Sequence, residues 1–382
     1  MKKRVGIIVS AVLCGVLMSG CNQTELKKEV TVIDNTEEIK AVDVISSKVD
    51  TFKNMIGYGW TDKDLAVITK INANFDSIKI DTDKLKAEFD VQNIFLFDLN
   101  QNKEYPLGDH SKSQSDILMS PNLNYIFYAN RFEEKSVGTI SDLEGKILLQ
   151  VKDPDIDGYD FSESRWINNE ELIIPCHKIK GFITFNINGK ISKIKDVEKG
   201  IMGTEDPLNG TSITQPFKVE DKIYYVALKP GTEDDNKLRV YDLKKKTVKN
   251  LTEEEVLEFN FMLKKNKILI TTYNSKKHIN EIILMDVNGE NKAVIASGSM
   301  FGVEISKNEE KFAYINNDIE KSGVYIVDID TKKQYIAAVG EYYVPMSWNL
   351  SGDKIMVHGK QAKESSNPYD EIDTTSIINL NN

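Results

Sequence analysis

One short pattern recurs down the chain: three to five apolar residues, then Asp or Asn, then a polar turn. The copies are IFLFDLNQNK, GTISDLEGK, FITFNINGK, LRVYDLKKK, IILMDVNGENK, VYIVDIDTKK and a terminal SIINLNN. The acidic or amide residue falls at Asp98, Asp142, Asn186, Asp242, Asp286, Asp328 and Asn379, in steps of 44, 44, 56, 44, 42 and 51 residues. A repeat of this length cannot bury an apolar face alone, so successive units must stack on one another.

Each copy follows a second run rich in Ile, Val, Tyr and Phe: DLAVITK, YIFYAN, ELIIPCH, KIYYVALK, KILITTYN, KFAYIN and KIMVHG. Before most of these stands a further short strand ending in a turn, as in MSPNLN, RWINNEE and SWNLSGDK. Apolar runs bounded by turn residues read as strands. Four strands per unit at this period predict an all-β, seven-bladed β-propeller, with six blades as the alternative count. The seventh unit lacks an outer strand, and an open strand edge is a hazard folded proteins cover. The spare segment EVTVID, residues 29–34, is expected to pair beside residues 376–380 and close the ring.

The chain begins MKKR, then an uncharged run over 5–18, then Ser19, Gly20 and Cys21. This has the parts of a secretory signal and is too short to span a bilayer stably. Leu17 to Cys21 resembles a bacterial lipobox, with Met18 where Leu is usual. That resemblance implies a signal peptide over 1–20 and acylation of Cys21; a polar tether over 21–28 then leads into the propeller that the repeats place over 29–382. It also implies a lipid-anchored protein of the cell membrane facing the extracytoplasmic side. Ordinary secretion after an earlier cleavage is the alternative. Cys14 would leave with the signal, and Cys176 in ELIIPC reads as a buried, inert thiol.

The second-strand turns MSPNLNYIFYAN and SWNLSGDKIMVHG resemble the S-P-D-G-K motif of TolB-type, WD40-like propellers. VYIVDIDTKK and LRVYDLKKKTVKNLT are similar to that family's following strand. Known relatives range from periplasmic scaffolds to propellers of prolyl oligopeptidase-like enzymes and seven-bladed lyases, so the fold does not choose a function. A serine hydrolase would need a G-x-S-x-G elbow, which the sequence lacks.

By the strand assignment, the extra length falls on one face, in 69–93, 108–115, 152–160, 196–210, 229–236 and 359–375. Uneven loops on one face of a rigid repeat scaffold are where such proteins bind. These loops carry Asp206, Glu233, Asp234, Asp235, Tyr369, Asp370, Glu371 and Asp373, a candidate face for a basic protein or peptide at the cell envelope. Solvated charge is the alternative for each. The net charge is −10, and −13 once Lys2, Lys3 and Arg4 are removed, which argues against nucleic acid. The chain is expected to be a monomer.

Asp153, Asp155, Asp157 and Gly158 match the opening of a calcium loop, although Ser164 stands where the closing Glu belongs. An ordinary Asx turn explains the same residues. Trp60, Trp166 and Trp348 fall in first strands, where packing between blades is expected. The repeated Asp residues are read as turn formers rather than catalysts. His110, His177, His278 and His358 all map to the loop-rich face. By resemblance to the seven-bladed lyases they would form a metal-dependent polysaccharide lyase or hydrolase centre in the funnel, the alternative to a non-catalytic binding module.

Overall fold

The computed structural model describes residues 43–81, 86–132, 135–156, 160–198, 212–228, 235–318, 321–363 and 371–380. These build seven blades of four antiparallel strands, a β-propeller. The blades run in chain order, each starting at the axis. Blade one is Ile56–Trp60, Ala66–Ile71, Gln92–Asp98 and Lys103–Leu107. Blade two is Ser113–Met119, Tyr125–Phe132, Lys135–Asp142 and Ile147–Val151. Blade three is Arg165–Trp166, Glu171–Cys176, Gly181–Asn186 and Ile191–Ile194. Blade four is Ser212–Val219, Lys222–Leu228, Lys237–Asp242 and Thr247–Asn250. Blade five is Glu255–Met262, Lys267–Asn274, Ile279–Asp286 and Ala293–Gly298. Blade six is Met300–Ile305, Lys311–Asn316, Gly323–Asp328 and Gln334–Val339.

Blade seven takes Tyr342–Trp348, Lys354–Ala362 and Glu371–Leu380 from the C-terminus and its outer strand, Ser46–Lys53, from the N-terminus. Val49 lies opposite Ile378, and Phe52 opposite Thr375. The ring is therefore closed by an N-terminal strand, as the missing outer strand requires. The segment that does it is 46–53, not 29–34. Residues 29–34 lie outside the described residues, and the place beside 376–380 is already taken. Just before it, Asp43–Val44 pairs in parallel with Gln334–Val339 of blade six. One N-terminal segment thus binds two neighbouring blades.

The core is divided among the blade interfaces. The cluster of Met55, Trp60, Phe97, Met356 and Ile377 joins blade seven to blade one. Phe52 of the closing strand meets Phe97 edge to face at 5.3 Å. Equivalent clusters lie between every other pair of neighbours. Trp60, Trp166 and Trp348 are all buried within them. Each donates its indole N–H to a first-strand carbonyl of the preceding blade: Ser347, Leu118 and Glu304 respectively. An indole both fills the wedge between twisted sheets and satisfies a backbone acceptor there.

Turn chemistry explains the repeated Asp. Asp98 Oδ1 accepts from the Asn100 and Gln101 amides, Asp142 from Glu144 and Lys146, and Asp242 from Lys244 and Lys245. Asp328 accepts from the amide and hydroxyl of Thr331. Asp286 departs from this pattern, accepting from Lys267 Nζ and the Asn291 side-chain Nδ2 instead. A left-handed residue completes the turn in six blades: Asn102, Gly145, Gly189, Lys246, Gly289 and Lys332. At Gly289 a Cβ would stand 2.6 Å from the Leu251 carbonyl, so glycine is required there on two counts.

Candidate functional site: the loop-rich face and the innermost strands

On one face every connection is a tight turn. The other face carries the elaborations. The 69–93 segment holds an extra hairpin, Ile78–Asp81 with Lys86–Phe89. Residues 359–375 are not simply a loop: the second and third strands of blade seven run on, so that Ala362 still pairs with Glu371. Before blade three, a 3-10 turn over Asp160–Glu163 lies against the second strand's end.

The predicted acidic residues are only partly described. Asp206, Glu233, Asp234, Tyr369 and Asp370 lie outside the described residues. Glu371 is exposed and pairs with Lys360 at 3.1 Å. Asp373 accepts from His358 Nε2 at 2.9 Å. Asp235 sits half-buried before the third strand of blade four, three blades from Glu371 and Asp373. The face has a further acidic groove that sequence reading missed, of about 460 Å³ beside blades four and five. Glu253, Glu254, Glu255, Tyr273 and Glu281 line it together with Lys237 and Lys276, and Glu254 and Glu281 pair with Lys292 and Lys277 at 2.6 and 3.1 Å. Apolar Ile71 and Phe75 are exposed at the base of the extra hairpin.

Asp153 and Asp155 do converge, but on a lysine. Lys193 Nζ lies 2.7 Å from Asp153 and 2.8 Å from Asp155, and Lys178 lies 3.5 Å from Asp155. Lys193 holds the Asp155 carboxyl below its usual range. Asp157 lies outside the described residues. A calcium ion bound to this pair would have to displace the ammonium.

The four imidazoles do not come together. His110 Nε2 bonds the Ile94 carbonyl at 3.0 Å, and its ring meets Phe95. His177 bonds the buried carboxylate of Asp160 at 2.5 Å, His278 the Tyr273 hydroxyl at 3.1 Å, and His358 Asp373 and the Val344 carbonyl. They belong to separate blades. Among the described residues, no three of His, Cys, Asp and Glu are placed to share a metal ion. Cys176 is buried, its Sγ donates to the Asp155 carbonyl at 3.0 Å, and burial pushes its thiol up to about 11.

The innermost strands supply a second set of polar groups. Six of the seven slip register at the same level, at Tyr58, Asp116, Gln215, Leu257, Gly302 and Val344. Three of these take left-handed backbone: Asp116, Gln215 and Gly302. Bulges re-aim side chains. Arg165 of blade three reaches across to donate to the Phe259 carbonyl at 3.1 Å and to Gln215 Oε1 at 3.3 Å. Gln215 in turn donates to the Leu257 carbonyl, and its amide N–H to Glu163. Glu258 accepts from the Thr271 hydroxyl and the Val303 amide, both at 3.0 Å. Burial raises the Glu258 carboxyl above its usual range and carries Glu304 up to about 7. The sequence signal was present, a carboxylate inside the apolar runs EVLEFNFM and MFGVEI, although strand patterning alone does not say which residues face the axis.

No protein-family model matches the chain, and no curated protein sequence matches it. Solved structures do match by shape. An oligogalacturonate lyase in complex with manganese superposes with a TM-score of 0.56 at 11% identity, over 87% of this chain and 98% of that one. The β-propeller domain of Cps50 (Swd1) from Myceliophteria thermophila gives 0.55 at 11% identity, over 88% and 99%. TolB from Acinetobacter baumannii gives 0.44 at 12% identity, over 64% and 58%. Identities this low establish the propeller and nothing finer. The lyase and the Cps50 (Swd1) domain share the architecture.

Proposed function

We propose that this protein is a non-catalytic binding module, a lipid-anchored propeller of the cell envelope that captures a basic protein or peptide on its loop-rich face. One observation carries the reading: among the described residues, the extra hairpin, the 3-10 turn and the extended strands of blade seven all fall on that face, while turns such as 120–124 and 349–353 opposite stay short. Acidic side chains from blades four, five and seven, with exposed Ile71 and Phe75, supply charge and apolar contact there. Rigid repeat scaffolds with varied loops on one face bind through those loops. The anchor rests on the leader and on Cys21.

The polysaccharide lyase or hydrolase alternative shares the fold, but its candidate ligands His110, His177, His278 and His358 are engaged in separate blades. A negative face would also repel a polyanionic sugar. Two experiments test the proposal. Immobilised protein should retain basic peptides over acidic or neutral ones, and added salt should weaken retention. Neutralising Asp235, Glu255 and Glu371 together should reduce it several-fold. Equal retention of acidic peptides would overturn the reading. Separately, Cys21→Ser should abolish labelled-palmitate incorporation and move the protein out of the membrane fraction, and unchanged labelling would remove the anchor.

A further inference from the structure

Charge is spread unevenly over the tight-turn face. The turns of blade four and the first turn of blade five, over 218–222, 242–249 and 263–267, hold nine lysines against three acids, Glu220, Asp221 and Asp242. Asp286 and Asp330 reach in from neighbouring turns to Lys267 and Lys265, so nine cations less five carboxylates leave a surplus of four on a chain of net charge −10. The matching turns of blades one to three, over 61–65, 98–103, 120–124, 142–146, 167–171 and 186–190, hold seven acids against four lysines. Lys222, Lys244, Lys245, Lys246 and Lys264 are all exposed. Leu263 stands beside them, 54% exposed at the lip of a groove of about 250 Å³ that Tyr224, Phe261 and Val287 also line. Leu350, in the first turn of blade seven, is exposed to the same extent.

The described chain also begins on this face. Asp43 and Val44 run parallel to the outer strand of blade six from its turn end, opposite Tyr335 and Ile336. Ser46 then lies opposite Leu380, whose amide donates to the Asp353 carbonyl in the first turn of blade seven. We propose that the blade four and five corner of the tight-turn face docks on an anionic bilayer, its lysines on phospholipid headgroups and Leu263 in the apolar boundary beneath them. Lysines close to an anionic leaflet and an exposed apolar side chain both favour peripheral membrane binding. The acidic loop-rich face does not cancel this attraction. The second strand of blade five, 8 residues long, holds the two faces roughly 25 Å apart at about 3.3 Å per residue, whereas salt screens exposed charges over about 8 Å. The docking surface goes beyond the lipid anchor and does not require it. It gives the binding module an orientation, with the loop-rich face turned away from the membrane.

The test uses the chain from residue 22, which keeps every described strand but has neither leader nor acyl group, sedimented with vesicles. Vesicles of phosphatidylglycerol and phosphatidylcholine should carry the protein down, pure phosphatidylcholine should not, and about 0.5 M salt should release it, readouts that need no variant to fold. Lys222→Gln, Lys246→Asn and Lys264→Gln together should weaken binding about tenfold or more, asparagine being chosen because Lys246 takes left-handed backbone. Leu263→Ser should weaken it severalfold. Lys63→Gln, Lys146→Gln and Lys190→Gln together remove the same charge from exposed turns of blades one to three and should leave binding near the parent value. Equal losses in the two triple variants would show that net charge alone acts, and would overturn the docking surface. Absence of binding, or equal binding to both kinds of vesicle, would overturn it too. Capture of an acidic, leucine-containing peptide without vesicle binding would assign the surface to a protein partner and refute the bilayer. Neutralising Asp235, Glu255 and Glu371 should reduce peptide retention without weakening vesicle binding, so the two proposals fail separately.

Discussion

Trp60 and Ser347 are 287 residues apart, yet the Trp60 indole N–H donates to the Ser347 carbonyl at 3.2 Å, across the interface where the ring closes. Trp348 and Trp166 make the same bond to Glu304 and Leu118 at interfaces that involve no closure. The closing interface is therefore built like the others.

Replacing Trp60 by Phe removes the donor and part of the ring, leaving a buried carbonyl unsatisfied. The expected cost is about 2–4 kcal/mol. Trp348→Phe should cost a similar amount, measured by urea denaturation. A change below about 0.5 kcal/mol, the range of neutral surface substitutions, would show that the bond contributes nothing.

Deleting residues 46–53 strips the outer strand from blade seven and exposes its third strand. Thermal scanning should show a large fall in Tm. Deleting 29–34 should shift it little, because Ser46–Lys53 already pairs with Glu371–Leu380. The opposite ranking would refute the assigned closure.

Glu198 and Arg239 are both buried, joined through two contacts at 3.1 Å, and the Tyr225 hydroxyl donates to the same carboxylate at 2.5 Å. Breaking such a pair from one side strands a charge. Arg239→Met should cost about 3–5 kcal/mol, whereas Arg239→Met with Glu198→Gln should recover part of it.

Glu304 sets a pH dependence. Its folded carboxyl lies at about 7, above the ordinary value of 4.5, because burial disfavours the charged form. The neutral acid is tolerated and the carboxylate is not, so its contribution to stability is greatest below pH 4.5 and is lost as the pH rises through about 7. The loss is at most about 3 kcal/mol, less because the side chain is partly exposed and solvent screens it. Glu304→Gln should match the parent near pH 4.5 and exceed it at pH 8. A parallel pair of stability curves would contradict this.

The Cys176 thiol, buried and pushed up to about 11, should react with iodoacetamide at pH 8 orders of magnitude more slowly in the folded protein than in urea. Equal rates would place the thiol at the surface.

The blades, the strand order, the turn role of Asp98, Asp142, Asp242 and Asp328, and the burial of Trp60, Trp166, Trp348 and Cys176 were all legible in the sequence. Each depends on the alternation of a strand or the hydrogen bonds of a tight turn, and both are local. Tertiary structure alone decided which N-terminal segment closes the ring. EVTVID is the more strand-like string, but an outer strand is exposed on its flank and needs backbone pairing more than apolar side chains, so SSKVDTFK serves. It likewise decided that Asp153 and Asp155 share Lys193, forty and thirty-eight residues away. It sent His110, His177, His278 and His358 to separate partners. Those outcomes depend on which side chains distant strands bring within reach, and no local pattern in a single chain encodes that distance.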